Sequence, residues 1–315
     1  QTDLTLALAH TSVMALGALV MFLGAEATIA MAAAMTFLVV HALYKASLFL
    51  MVGAIDHATG TREIARLGGL FRRMPMTSIA AVLAAGSMAG FPPFLGFVGK
   101  ELKYEGALAI AEEPLVLAGA AVLANALMVA LALVIVFRVV FGRAGETPKE
   151  PREAPALMWL GPLLLALGGL VCGIAPDLVG RTLVQPAVTA IVGEPQVVKL
   201  KLWHGVNVPL LMSFATVAIG VAGFALYRPL GRLIVLIPAW SDRAWDGLLA
   251  VVATSFAAVT RAIQPGSLRV YLGVTFAAVA ALPLGGLLLG GGLAMPPAGA
   301  PDPAGIGAVA LAAAG

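Results

Sequence analysis

The chain has 315 residues, of which 61% are hydrophobic and 11% charged, with a formal net charge of +3. A soluble domain is roughly a quarter charged, so this composition excludes a protein that faces water on all sides and makes the bilayer part of its solvent. Open sheets are excluded there because their edges leave backbone groups unpaired, and apolar runs of about 20 residues without strict alternation exclude barrel strands, leaving helices.

The expected fold is an all-α, polytopic transmembrane bundle with one broken helix and a lateral interfacial segment. Seven runs are long enough to span, at 6–23, 28–54, 77–109, 114–141, 156–175, 207–227 and 268–289. The first carries His10 about one turn in, where it could relay a proton or simply bond a neighbouring hydroxyl. The second carries His41 and Lys45. A charge at the bilayer centre costs roughly 3 kcal/mol on insertion scales and marks a task. Four residues apart, His41 and Lys45 share one helix face about 6 Å apart in rise, within reach of proton exchange through one water. Asp56 and His57 close this run, where they could load protons, although a helix-end pair in the headgroup region needs no function.

The third run is interrupted. Gly90, Pro92, Pro93 and Gly96 fall in its middle, and the two prolines remove donors and force extended residues before them. Backbone freed at membrane depth is tolerated only inside protein or beside water. Lys100 follows on the restarted helix, so the break supplies hydration and the lysine a proton carrier. Glu101 lies about 100° further round and is expected to pair elsewhere than with Lys100. Lys103 and Glu105 are expected at the outer interface.

The loop 56–76 holds Arg62, Arg66, Arg72 and Arg73, whereas the next connection holds only Glu112 and Glu113. The following one holds Arg143, Lys149 and Arg152, and Arg228 and Arg232 follow the sixth run. Alternation of basic and non-basic loops places the amino terminus on the cytoplasmic side, with Lys199 and Lys201 the exception outside. Residues 231–266 fit no span. They read either as an amphipathic helix on the interface, with Trp240 and Trp245 beside Arg243 and Asp246, or as a long loop with aromatic anchors.

Single Cys172 allows no internal disulfide and no cysteine-based metal site. No nucleotide fingerprint, zinc spacing or nucleophile elbow occurs, so no cofactor is implied, and the small net charge gives no reason to expect nucleic acid. Gln1 and the apolar start at 306–314 lead us to expect an internal piece of a longer protein, organised as 1–230, 231–266 and 267–315.

Residues 2–17 (TDLTLALAHTSVMALG), 41–50 (HALYKASLFL) and 87–101 (SMAGFPPFLGFVGKE) resemble the antiporter-like subunits of respiratory complex I, membrane hydrogenases and Mrp-type antiporters. Residues 52–62 (VGAIDHATGTR), 202–207 (LWHGVN) and 264–271 (QPGSLRVY) are similar to the A-type member of the Mrp group in particular. The resemblance implies the second half of the antiporter module, its lateral helix and the next span. It also implies Lys45 as the central-axis lysine, His41 as its relay and Lys100 as the lysine of the broken helix, and Glu101 is read beside it as a modulator of the proton affinity of Lys100. Thr5 and His10 depart from the residues common in the family. The implied function is a subunit of a multisubunit Na⁺/H⁺ antiporter in a bacterial-type cell membrane, partnered by other membrane subunits, the two ions and lipid. The alternatives are the proton-pumping arm of a redox complex, which would make the chain part of a translocase, and a non-transporting assembly subunit.

Overall fold

The structure, a computed structural model, describes residues 2–203, 205–227, 240–263 and 267–288. His204, the expected boundary at 230/231 and the apolar stretch 306–314 lie outside the described residues. The chain divides into two compact units, Gln1–Ile234 and Val235–Gly315.

The first unit is helical. Helix α1 (Leu4–Leu23) begins at Asp3, whose carboxylate accepts from the Leu6 amide and satisfies one of the free donors of the first turn. Helix α2 (Thr28–Thr59) stops at Gly60, which adopts a left-handed φ of 73°. Helices α3 (Pro75–Ala89) and α4 (Leu95–Leu108) together fill the run expected to be broken. Helix α5 (Pro114–Val134) runs on through a π-helical stretch (Ile135–Val140), and α6 (Ala156–Ile174) follows. A short α7 (Pro176–Val179), a π-helical turn (Gly180–Val184) and α8 (Gln185–Val192) lead to α9 (Val208–Ala225), capped by Asn207.

Helices α1, α2, α6, α9 and the α5 run are each long and apolar enough to cross a membrane. Their outward faces are apolar: Val13, Val20, Leu115, Leu157 and Phe214 are all more than half exposed. Such a surface suits lipid rather than water. Helix α2 is the hub, packed against α1, α3, α4 and α6, while α5 packs against α3, α4 and α9. A hydroxyl strengthens the hub, since Ser47 donates to the Pro162 carbonyl of α6 at 2.8 Å.

The basic connections are tied together at one end. Arg62 lies 3.6 Å from Asp3 and 3.9 Å from Asp56, and Arg73 lies 3.2 Å from Glu150. Glu153 accepts from the Met76 amide at 2.7 Å and from the Thr77 hydroxyl at 2.5 Å, placing a carboxylate at the positive end of α3. Asp56 therefore acts as a helix-end anchor, and the His57 carbonyl receives Lys149.

In the second unit, residues 240–263 form a helix, α10 (Trp240–Ile263), rather than a loop. Trp245, Leu248, Leu249, Val252, Phe256 and Val259 recur at the spacing of one helix face, while Arg243, Asp246 and Arg261 fall on the other. Helix α11 (Leu268–Leu288) is 21 residues long, enough for one crossing.

The break depends on close backbone approach. A Cβ on Gly96 would lie 1.8 Å from the Ser87 carbonyl oxygen, so only glycine lets α4 restart against the end of α3. Gly96→Ala is expected to cost about 1–3 kcal/mol or more through overpacking, read as a lower thermal midpoint of the assembled complex. Gly53→Ala, where nothing lies within 4 Å, is expected to leave the midpoint unchanged or slightly raised.

Candidate functional site

Lysines within the bundle define the site. Lys45, Lys100 and Lys103 are 5%, 4% and 5% exposed, although each carries one of the side chains least suited to burial. Lys45 projects from α2 towards α1, where its ammonium donates to the Leu8 carbonyl and to the Thr11 hydroxyl. The Thr11 hydroxyl in turn donates to the Leu8 carbonyl at 2.8 Å. Phe49 lies beneath, with its ring centre 5.5 Å from Nζ.

One turn earlier on α2, His41 Nδ1 lies 2.8 Å from the Tyr44 hydroxyl, which also faces Met128 Sδ at 3.9 Å. His41 and Lys45 thus share a helix but take different partners. Tyr44 is buried and stands edge-on to the imidazole, 5.2 Å between ring centres. The imidazole therefore faces a hydroxyl that can both give and take a proton.

The break supplies the seat for Lys100. Gly90 closes α3 with a φ of 69°, and a Cβ there would lie 2.9 Å from Lys100 Cδ. The lysine stem thus runs directly over the glycine. Lys100 borders a small cavity of about 10 Å³ with Tyr44, Ser87, Lys103, Asn125 and Met128 among its lining. That volume is close to the minimum for one water, and the polar lining gives such a water partners. The broken-helix lysine therefore meets Tyr44 of α2 at one polar point inside the bundle, whereas His41 reaches that point only through its bond to Tyr44 and Lys45 faces α1.

Glu101 turns to a different space. It borders a cavity of about 400 Å³ with Thr28, Glu105, Lys199 and Asn207. It is 6% exposed, and its Oε1 has no hydrogen-bond partner among the described residues. Glu101 and Lys100 open into separate cavities, as the 100° offset between them requires.

Two placements correct the sequence reading. Lys103 is not at an outer interface: α2, α5 and α9 enclose α4 and bury it. Its Nζ donates to Asn125 Oδ1 at 2.6 Å and sits 3.9 Å from the centre of the Phe37 ring. Asn125 also donates to the Tyr104 hydroxyl at 3.0 Å, which lies 2.5 Å from Thr216 Oγ1. Secondly, His10 lies on the exposed side of α1, with Nδ1 2.7 Å from the Leu6 carbonyl of its own helix. Thr11, its neighbour, reaches Lys45 instead. The available signals were the three-residue step from Lys100 to Lys103 and the single amide, Asn125, in an apolar run. Among the described residues no three His, Cys, Asp or Glu side chains gather as a metal site.

Residues 1–127 match the family described as NADH:quinone oxidoreductase/Mrp antiporter, transmembrane. The chain is 37% identical over 234 residues to the A/B component of a probable K⁺/H⁺ antiporter of Rhizobium meliloti (strain 1021), covering 72% of this chain and 23% of that protein. It is 31% identical over 321 residues to the A component of the Na⁺/H⁺ antiporter of Bacillus subtilis (strain 168), covering 93% and 40%. Among solved structures, the Mrp complex from Dietzia sp. DQ12-45-1b matches with a TM-score of 0.70 and 31% identity, over 99% of this chain and 34% of that one. The chain thus spans less than half the length of these proteins.

Thr11→Val, which keeps the shape but removes the acceptor for Lys45, is expected to cost about 1–3 kcal/mol, because it strips a partner from a buried charged donor. The readout is the thermal midpoint of the assembled complex. Ser12→Ala, whose hydroxyl makes only a 3.4 Å contact with Leu8, is expected to move it little.

Proposed function

We propose that this chain, whose residues 1–127 belong to the NADH:quinone oxidoreductase/Mrp antiporter transmembrane family, is part of an A-type component of a multisubunit cation/proton antiporter and carries part of its proton path. The observation that carries this reading is the meeting of Lys100 with the Tyr44 hydroxyl at a water-sized polar cavity inside the bundle. Neither a folding role nor a lipid contact needs an ammonium there.

Lys45 and Lys100 are the protonatable carriers. Lys45 rests on acceptors from α1, and Tyr44, bonded to His41, lines the cavity at Lys100. In this reading a proton passes from Lys45 along α2 by way of His41 and Tyr44 and crosses to α4 beside the break. Glu101, facing the larger cavity from the next helix position, modulates Lys100 and connects it to polar surroundings. The exchanged ion is a monovalent cation, Na⁺ or K⁺, as the names of the two relatives suggest. Movement of each charge is worth about 2.3 kcal/mol per 100 mV of membrane potential. The amino terminus lies on the cytoplasmic side, because Arg62, Arg66, Arg72, Arg73, Arg143, Lys149 and Arg152 lie at the end of the bundle that holds it. Helix α10 is an interfacial amphipathic helix, with its apolar stripe towards lipid or a neighbouring protein of the complex. Other membrane subunits complete the path, in a bacterial-type cell membrane.

The family description also covers NADH:quinone oxidoreductase, which favours a second reading: the same path driven by electron transfer in another complex. Flux separates the two. In everted vesicles carrying the complete complex, in a host without its own antiporters, adding Na⁺ or K⁺ is expected to collapse the pH gradient. Lys45→Ala and Lys100→Ala are each expected to reduce that response at least ~100-fold while assembling normally, the size of effect that loss of a proton-transfer group gives. A wild type blind to both cations would turn the assignment to a redox-driven pump. Variants as active as wild type would remove both lysines from the path.

A further inference from the structure

Lys103 is the buried ammonium that the proposed path does not use. Its surroundings differ from those of the two carriers. Asn125 Oδ1 accepts one of its protons at 2.6 Å, and the Phe37 ring face lies 3.9 Å from Nζ, a placement that attracts a cation rather than a neutral amine. Lys103 stands three residues after Lys100 on the same side of α4, and both border the same small cavity.

The network behind Lys103 has a definite direction. Thr216 Oγ1 donates to the Met212 carbonyl at 2.8 Å, so its single proton is committed. The Tyr104 hydroxyl, 2.5 Å away, must then donate to Thr216, and it accepts from the Asn125 amide at 3.0 Å. Asn125 in turn can only accept from Lys103. Every proton in the row points away from the lysine, and the row ends on a backbone carbonyl. It contains an amide, which cannot pass a proton on at neutral pH. The row therefore anchors the ammonium and gives a proton no onward route.

We propose that Lys103 is a fixed positive charge, clamped by Asn125 and Phe37, that sets the ease with which Lys100 releases its proton. This deepens the proposed function and rests on it. A proton resident on Lys100 sits in the repulsive field of Lys103, and its departure relieves that repulsion. The ionisable groups around Lys103 are His41 and Tyr44 from α2 and Lys100 and Tyr104 from α4, while the nearby residues of α1, α5 and α9 are neutral. Glu101 faces the other cavity. Lys103 is thus a positioning residue for charge. Arginine, which holds its charge permanently and does not relay protons, separates that role from a carrier's.

The test is the pH profile of cation-dependent proton exchange in everted vesicles carrying the complete complex, normalised to assembled complex. Lys103→Gln is expected to retain exchange with its profile displaced by about one unit to higher pH, because Lys100 then keeps its proton more firmly. Lys103→Arg is expected to return the profile towards wild type. If Lys103→Gln does not assemble, Asn125→Ala, which keeps the charge but removes its clamp, is expected to give a smaller displacement in the same direction. An unmoved profile in the variant that assembles overturns the proposal, as does loss of exchange at every pH in both Lys103→Gln and Lys103→Arg, which would make Lys103 a carrier. A wild type without exchange overturns the antiporter reading and this one together, whereas an active wild type matched by Lys103→Gln overturns this one alone.

Discussion

Holding ammonium groups away from water is the constraint on which the rest of this bundle depends. An isolated charge at membrane depth costs several kcal/mol unless hydrogen bonds and neighbours replace its hydration. None of Lys45, Lys100 or Lys103 forms an ion pair with a carboxylate among the described residues. Each is instead held by neutral groups: Lys45 by a carbonyl and a hydroxyl of α1, Lys103 by an amide of α5 and a ring face of α2, Lys100 by its seat over Gly90 beside a polar cavity. Neutral partners stabilise a charge less than an opposite charge would, which suits the proposed proton exchange at Lys45 and Lys100 and leaves the charge of Lys103 uncompensated in their vicinity.

This solution dictates the architecture. Helix α2 must be central, because it presents Tyr44 to the cavity and Lys45 to α1. Helix α3 must end inside the bundle, so that Gly90 can make room for the Lys100 stem, and α4 must restart close enough for Gly96 to approach the Ser87 carbonyl. Helices α5 and α9 then close the far side, supplying Asn125 and Thr216. The apolar exterior follows from the same economy, since polar groups are concentrated inside and Val13, Leu115 and Phe214 face outwards. One end of the bundle carries the basic connections, where Arg62 and Arg73 of the α2–α3 loop are tied to Asp3, Asp56 and Glu150.

Much of this was legible in the residues. Among the described residues, five of the seven long apolar runs form helices long and apolar enough to cross a membrane. Two prolines between glycines announced the break, because a proline cannot donate to a helix and restricts the residue before it. Lys45 stood out because a charge within an apolar run has few explanations. Lys103 did not, because distance along the chain from the break was a poor guide to depth: α4 is enclosed by packing from α2, α5 and α9, which no local pattern announces. Thr11, the α1 residue that bonds Lys45, was missed for a related reason. Helix α1 is apolar all round, so nothing local says which side faces Lys45, and one residue's step turns the face by 100°. Asn125 was hidden by being neutral, and its partners Lys103 and Tyr104 lie 22 and 21 residues away in the chain.

The central claim is that a buried lysine beside the broken helix gives up and regains a proton on each cycle. Lys100→Arg tests it most directly, because arginine preserves the charge but does not release its proton. The measurement is cation-dependent proton flux per assembled complex in everted vesicles, with assembly checked by co-purification of the subunits. The account predicts a complex that assembles and conducts no cation-coupled protons at any pH. Flux at the wild-type rate from an assembled Lys100→Arg complex would contradict it, and would show that the charge at this position, rather than its proton, is what transport requires.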